Sequence, residues 1–579
     1  MTSPRSCTVR ALLAALLVGA PQPALAQAYD RVAPKLPVPD QTPALVPPPV
    51  ADVRDGSSKP IIATLKGVTF VATIERVAAD TPTAATKGID AAGVAELDDP
   101  RFSERLTPFL GKPLSLADLD RIRTLALEWL RAHGRPFADV TAPPQNIASG
   151  IVRIVVTQYR LGRVTVEGAR YFSPKSIQRR SGLTPGQTLA LGPLQGDLAR
   201  LNQNPFLTVD AIFRPGANQG ETDITLSARD RRPLRIYAGY DNLGVRSLGI
   251  GEYDVGINWG NVFGTGGILS YQLTRTISGR YTSHSLSDVA PLPWGDQLLV
   301  FGSYARSRPR LPEIFNDVGH SGQASVRYVH RLGTGGRLTQ DVQIGYDFKT
   351  TDNNLEFAGF QVFRTRAEVN QFPIVYDATL TDRLGQTAFQ NILVLSPGHL
   401  TRNNTTASLA MLVPGARARY VYDRLLVTRT TRLPAGWTSI TRATGQLASH
   451  NLPNSEQLGG GGVGSVRGYF ADTALGSTGL LASQEVRLPA FGLSQLARHG
   501  SKLDDRMQFG AFVDFARLRQ VKPIPEVQNR VTLLSAGGNV HYSIARFLDV
   551  QADLGWRLRR TATAPERGAY AQMSATIGI

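Results

Sequence analysis

The sequence predicts an outer-membrane antiparallel β-barrel of about sixteen strands, preceded by two small α+β domains. Three observations lead to this fold class. The chain starts with a signal-peptide pattern, its longest apolar run is short, and apolar and polar residues alternate with a period of two after Arg232. The apolar run, residues 11–20, is about half as long as a membrane-spanning helix requires. A membrane protein with this sequence therefore has to span the bilayer as a closed barrel.

Residues 1–26 are predicted to be a secretory signal peptide. Arg5 and Arg10 precede the apolar run, and residues 24–26 (Ala-Leu-Ala) match a small-x-small cleavage site. The only cysteine of the chain, Cys7, lies inside this segment. Disulfide bonds are therefore not expected in the mature protein.

Residues 27–59 are rich in proline, which favours an extended and semi-rigid chain over a packed domain. We interpret this segment as an N-terminal linker. The same prolines leave few helix-compatible residues in it, so a helix is not predicted here.

Residues 60–157 and 158–232 are predicted to form two α+β domains, each with the order strand, helix, helix, strand and strand. In the first domain, Ser115 and Asp118 match a capping box at the start of an amphipathic helix, and Gly134 ends that helix. The apolar face of the helix comprises Leu116, Leu119, Ile122, Ala126, Trp129 and Leu130.

In the second domain, Ser173 is predicted to cap a short helix that has Pro174 at its first position. Strands are predicted at 161–166 and at 209–214, and either strand could be an exposed sheet edge. Residues 78–93 of the first domain, rich in alanine and threonine, are predicted to be a surface insertion.

Residues 233–579 are predicted to form the barrel. In residues 252–260 every second side chain is apolar, and the intervening ones are polar or glycine. A soluble sandwich shows the same periodicity, but the signal peptide and the polar positions throughout the region favour a barrel with a polar lumen. Roughly 350 residues at about 22 per strand and connection give about sixteen strands. Residues 569–579 form the predicted terminal amphipathic strand.

Composition argues against several classes of function. The formal net charge is +17, yet an exported chain without an aromatic or helical reading motif is not expected to bind nucleic acid. The eight histidines are isolated from one another and from cysteine, so no metal site is predicted. Gly459, Gly461 and Gly464 match a phosphate-binding spacing, but they lack the strand and helix that such a loop needs. Neither a cofactor nor an enzymatic activity is expected.

The most informative segment is the glycine-rich run EQLGGGGVGSVRGYFADTALGSTG at residues 456–479. Glycine allows close approach of backbones and positive φ, which suits a hairpin folded back into a confined space. Its central residues Val466, Arg467, Gly468 and Tyr469 resemble the loop signature of the Omp85 superfamily. The resemblance is greatest to the two-partner secretion transporters that export haemolysins and filamentous adhesins, and the two α+β domains resemble their polypeptide-transport-associated (POTRA) domains.

A buried arginine needs a partner, because an unpaired buried guanidinium is very costly. The alternation in residues 509–518 points Phe512 and Asp514 into the lumen. These two residues resemble the second family signature, although Ala516 stands where that signature has glycine. The resemblance implies a salt bridge between Arg467 and Asp514 that anchors the loop inside the barrel. On the residues alone, a solvated Arg467 and a water-lining Asp514 are the alternative.

The resemblance further implies a function and partners. The POTRA domains would bind an unfolded exoprotein in the periplasm, a β-helical adhesin or haemolysin, and the barrel would secrete it across the outer membrane of a Gram-negative bacterium. Outer-membrane lipid and the barrel-assembly machinery would be further partners. An Omp85-type insertase and a passive porin are the alternatives. Two periplasmic domains rather than a longer array argue against the insertase, and a porin has no need of such domains.

Overall fold

The computed structural model describes residues 29, 31–37, 57–78, 87–218, 220–310, 315–335, 337–357, 360–494, 503–524 and 528–579. The predicted signal peptide and most of the predicted linker lie outside these residues. The chain divides into two compact units, one holding the barrel with the N-terminal segment and residues 204–206, the other holding the remaining N-terminal elements. No helix among the described residues is both long and apolar enough to cross a membrane.

The first α+β domain contains six strands, β1 (Pro60–Ile62), β2 (Gly67–Val71), β3 (Gly88–Asp90), β4 (Leu114–Ser115), β5 (Ala138–Thr141) and β6 (Ile151–Gln158). Four of them form a sheet in the order β3-β2-β6-β5, and β1 and β4 form a separate pair. Its helices are Glu75–Ala78, Pro100–Leu106 and Leu116–Ala132, with a 3-10 turn at Thr107–Phe109. The capping box of Ser115 and Asp118 is present, and Ile122, Ala126 and Leu130 are buried beneath the sheet.

The prediction of a surface insertion at 78–93 is wrong for part of that segment. Gly88–Asp90 pairs in parallel with β2 as an edge strand of the sheet. Ile89 packs against the domain core, and Ala91 and Val94 are buried within it. These apolar side chains hold the segment against the core of the domain. The small and polar residues around them hid this apolar pattern in the sequence.

The second α+β domain has the sheet order β7-β9-β8, formed by β7 (Arg160–Glu167), β8 (Leu207–Pro215) and β9 (Glu221–Asp230). Helices Pro174–Arg180 and Leu191–Leu201 cover it. β9 lies in the centre of this sheet. β7 and β8, which contain the predicted strands 161–166 and 209–214, therefore both lie at its edges. The Ser173 side chain makes no capping hydrogen bond, contrary to prediction, and the helix starts with Pro174 at its first turn.

Sixteen antiparallel strands form a closed barrel, because the first strand pairs with the last. They are β10 (Leu234–Asp241), β11 (Glu252–Val262), β12 (Gly267–Thr276), β13 (Tyr281–Pro291), β14 (Gln297–Ser307), β15 (Phe315–Gly335), β16 (Leu338–Phe357), β17 (Phe360–Thr381), β18 (Gly385–Ser396), β19 (Tyr420–Arg432), β20 (Thr438–Ala448), β23 (Thr478–Arg487), β24 (Asp505–Arg519), β25 (Arg530–Ile544), β26 (Leu548–Arg557) and β27 (Gly568–Gly578). The predicted number of about sixteen strands is confirmed.

The barrel wall has the polarity of a membrane protein rather than of a soluble one. Along β11, the polar Glu252, Asp254 and Asn258 are buried, whereas the apolar Val255 and Trp259 are exposed. An outer-membrane barrel shows this pattern because its outer face contacts lipid and its inner face is polar. A short helix at Thr406–Leu412 lies in the connection between β18 and β19, and a 3-10 turn at Pro434–Gly436 connects β19 to β20.

Candidate functional site

The glycine-rich segment forms an inward loop between strands β20 and β23. It starts with a 3-10 turn at Asn454–Glu456 and continues as the short antiparallel pair β21 (Leu458–Gly460) and β22 (Ala474–Gly476). Arg467 and its neighbours form the tip between β21 and β22. The tip touches the inner faces of β24 and β26, so the loop folds back into the barrel.

Arg467 is buried, with 4% of its surface exposed, and its guanidinium binds Asp514 through two parallel hydrogen bonds. Nε donates to Oδ2 at 2.8 Å and Nη2 donates to Oδ1 at 2.9 Å. The Arg467 backbone N–H also donates to Oδ2 of Asp514, at 3.0 Å. The guanidinium carbon lies 3.5 Å from the ring centroid of Phe512, which adds a cation–π contact. The structure thus brings Arg467, Phe512 and Asp514 together.

Two further carboxylates complete the surroundings of this guanidinium, and neither was predicted from the sequence. Arg467 Nη1 lies 2.7 Å from Glu485 Oε2 on β23 and 3.2 Å from Asp553 Oδ1 on β26. Glu485 also pairs with Arg442 and Arg487. Three arginines therefore face three buried carboxylates, which balances the charge that burial would otherwise make costly.

The other three residues of the loop motif pack against the wall around Arg467. Val466 is fully buried in an apolar cluster. Tyr469 is also fully buried, and its hydroxyl donates to the backbone carbonyl of Arg559 at 2.6 Å. Gly468 has φ of +86°, and a Cβ there would lie 2.6 Å from the carbonyl oxygen of Gly555. The loop and strand β26 therefore meet backbone to backbone, and only glycine permits this.

Ala516, which replaces the expected glycine, is accommodated without a gap. Its side chain is fully buried and packs in the same apolar cluster as Leu458, Val466 and Leu518. The methyl group thus adds an apolar contact between β24 and the loop.

A second buried ion pair, between Glu456 and Lys349, holds the start of the loop and was not predicted from the sequence. Glu456 is 1% exposed, and its carboxylate lies 2.5 Å from Lys349 Nζ on β16. Tyr422 and Gln371 donate to the same carboxylate at 2.9 and 3.0 Å. The position of Glu456 at the start of the glycine-rich run was the one signal available in the sequence, because its partners lie on strands far away along the chain.

The prediction of an extended linker fails for the described residues 31–37, which lie against the inner wall of the barrel. Arg31 pairs with Glu252 and Lys35 pairs with Asp254, each at 2.6 Å. The Lys35 backbone N–H donates to the hydroxyl of Tyr237 at 2.9 Å. The physical reason is charge: two basic residues in a proline-rich segment meet the acidic inward positions of β11.

Among the described residues, no group of histidine, cysteine, aspartate and glutamate is placed to hold a metal ion. Two chain segments are held inside the barrel by ion pairs and hydrogen bonds, without covalent links. Such contacts can be exchanged for water or for another chain at modest cost.

Comparison with known proteins identifies two family matches. Residues 220–503 match the family described as haemolysin secretion/activation protein ShlB/FhaC/HecB. Residues 84–158 match the POTRA domain of ShlB type. The two matches lie on the barrel region and on the first α+β domain.

Individual relatives are distant but extend over most of the chain. The heme/hemopexin transporter protein HuxB of Haemophilus influenzae (strain 86-028NP) is 21% identical over 453 residues, covering 76% of this chain and 77% of that protein. The outer membrane transporter CdiB-2 of Burkholderia pseudomallei (strain 1026b) is 22% identical over 450 residues, covering 73% and 74%. The solved structure of CdiB from Escherichia coli is similar in fold, with a TM-score of 0.74 at 16% identity and 95% coverage of both chains.

Proposed function

This chain belongs to the haemolysin secretion/activation family ShlB/FhaC/HecB, and from that premise we propose a route by which it exports its partner. The protein is an outer-membrane transporter of the two-partner secretion type, with periplasmic N-terminal POTRA domains. Its partner is a secreted exoprotein. The route has three parts: capture at a free sheet edge, passage through a lumen that two chain segments now occupy, and release outside.

Capture is proposed at strand β8. An extended chain can add to a sheet edge through main-chain hydrogen bonds, with little demand on its sequence. At the other edge, the start of β7 is already bonded to residues 186–188, because the Leu161 N–H donates to the carbonyl of Gln187. Among the described residues, the side chain of Asn202 hydrogen-bonds to Val209 of β8 and to no other residue of this strand. In the described part of the chain, residues 210–214 of β8 form hydrogen bonds only with β9. The outer edge of β8 is therefore the better template.

Passage requires that the lumen open. The segment 31–37 contacts the inner faces of β11 and β12, and the loop contacts β24 and β26. The loop is bonded at both its start, Glu456, and its tip, Arg467, whereas the N-terminal segment is held by Arg31 and Lys35. We propose that the N-terminal segment leaves first, because its two cations are partly exposed whereas Arg467 is not. The loop would then line the route beside the exoprotein.

We propose that the exoprotein is a β-helical adhesin or haemolysin, since a repetitive chain that folds outside can draw itself through the pore without nucleotide energy. The barrel-assembly machinery would insert the barrel through its terminal strand β27. We further propose the boundaries 60–157, 158–232 and 233–579 for the two POTRA domains and the barrel, and we assign no catalytic step to any of them.

Site-specific photo-cross-linking tests the capture step. A photo-reactive amino acid at Ile212, 44% exposed on β8, is expected to cross-link to the exoprotein during export. The matched control is Arg163, which is exposed on β7. Cross-links from Arg163 but not from Ile212 would contradict capture at β8.

Deletion of residues 60–232 tests the wider proposal. Loss of the exoprotein from the medium is expected, while the heat-modifiable gel mobility of the barrel shows that it is still folded and inserted. Continued export by the folded, truncated barrel would contradict a role for the POTRA domains. Loss of other outer-membrane proteins in this strain, with export intact, would favour an insertase instead.

A further inference from the structure

Three arginines lie together on the outer surface of the barrel, and the export route does not use them. Arg517 and Arg519 on β24 and Arg530 on β25 are all exposed. With Leu480, Phe515 and the bare backbone of Gly479 they line an open groove of about 350 Å³. None of the described residues that line the groove is acidic.

The register of the strands makes this cluster electrostatically unfavourable unless an anion is present. Arg519 lies directly opposite Arg530 in the antiparallel ladder, and Arg517 is two residues away on the same face. Like charges directly opposite each other destabilise a sheet. Guanidinium groups bind phosphate through paired hydrogen bonds, so one phosphate between them would replace repulsion with attraction.

The groove lies at the level of the outer leaflet. Strand β24 is the thirteenth of the barrel and therefore runs in the same direction as the first, away from the end where the chain enters from the periplasmic domains. Its last residues are consequently at the extracellular end. Along the strand, the outward side chains change from the apolar Val513 and Phe515 to the basic Arg517 and Arg519. This change marks the boundary between the hydrocarbon core of the membrane and the lipid headgroups.

We propose that this arginine groove is a binding site for a phosphorylated glycolipid of the outer leaflet. Its phosphate would lie between Arg517, Arg519 and Arg530, and an acyl chain would lie along Leu480 and Phe515. Headgroup recognition by a basic pocket with an adjoining apolar surface is a general mode of lipid binding by membrane proteins. The groove lies on the outer side of the same strands that the loop packs against inside the barrel, because Leu518 and Leu533 face inward and pack with the loop.

Native mass spectrometry of the full-length protein released from detergent tests the proposal. Purified diphosphoryl lipid A, its fully dephosphorylated form and inorganic phosphate are the probes. The wild-type protein is expected to retain one diphosphoryl lipid A at least about tenfold better than the dephosphorylated form. The double variant R517Q/R519Q should lose this preference.

A matched double variant distinguishes binding at this groove from general electrostatic attraction between exposed arginines and lipid phosphate. Arg275 and Arg306 are also exposed near the extracellular ends of their strands, but Thr282 of the intervening strand separates them. R275Q/R306Q is expected to keep the preference, and an equal loss in both doubles would overturn the proposal. Displacement by equimolar inorganic phosphate would overturn the lipid assignment. Should R517Q/R519Q fail to fold, the single variant R530Q replaces it, with unchanged lipid retention counting against the site.

Discussion

Replacing Arg467 with alanine is the sharpest perturbation of the loop. In the wild-type protein Asp514 is completely buried and receives two guanidinium hydrogen bonds and the Arg467 backbone N–H. Without the guanidinium, Ser483 is the one side chain in the described part of the structure that still bonds to Asp514, and its hydroxyl donates at 2.7 Å. Glu485, in contrast, keeps Arg442 and Arg487. Asp553 also loses the arginine and keeps the amide of Gln551, so the damage falls mainly on Asp514, which loses two guanidinium hydrogen bonds where Asp553 loses one.

The magnitude follows from that uncompensated charge. Removing one partner of a buried ion pair costs about 3–5 kcal/mol. At about 1.4 kcal/mol per factor of ten, the equilibrium between the seated and released loop should shift toward release by a factor of roughly 10² to 10³ or more. Amide hydrogen exchange of a peptide containing Gly468 and Tyr469 measures this shift, because the Gly468 N–H is bonded to Gln572 only while the loop is seated.

A double-mutant cycle with Asp514→Asn separates the ion pair from simple loss of packing. The variant R467A/D514N should exchange more slowly than R467A alone, because the asparagine carries no charge to leave unpaired. Secretion of the exoprotein should follow the same order. Additive effects of the two substitutions, or unchanged exchange in R467A, would refute the idea that this pair seats the loop.

Three other perturbations have defined outcomes. Gly468→Ala should release the loop to a similar extent, because the added Cβ would meet the backbone of β26, whereas Gly464→Ala meets nothing within 4 Å and should resemble wild type in hydrogen exchange. Glu456→Gln removes the charge that faces Lys349, so protease sensitivity at the start of the loop should increase while the tip stays protected; simultaneous release of both ends would contradict two separate anchors. The pKa of Asp118 is held below its usual value by the hydrogen bond from Ser115, so its contribution to helix stability is present at neutral pH and is lost as the pH falls through that lowered pKa. Asp118→Asn should therefore speed hydrogen exchange of the helix Leu116–Ala132 at neutral pH and leave it unchanged in acid; a difference that persists in acid would contradict this cause.

Local sequence patterns predicted the elements well. Period-two alternation revealed the barrel strands, and the capping box of Ser115 and Asp118 marked the helix start. The segment 88–90 and the cap at Ser173 were misjudged, since neighbouring residues along the chain did not reveal their tertiary contacts. Arg467 and Asp514 were paired by resemblance to a family rather than by spacing, because strand alternation tells which way a side chain points but not what lies opposite.

The sequence by itself determined the class of the protein: two α+β domains and a barrel with a polar inside. Each of these depends on the periodicity of apolar residues, which is a local property of the chain. Only the tertiary structure decided the contacts inside the lumen. Glu456 with Lys349, Lys35 with Asp254, and Glu485 and Asp553 around Arg467 join residues that are distant in sequence. Closure of the sheet brings them together, and the cost of burying charge requires that they pair.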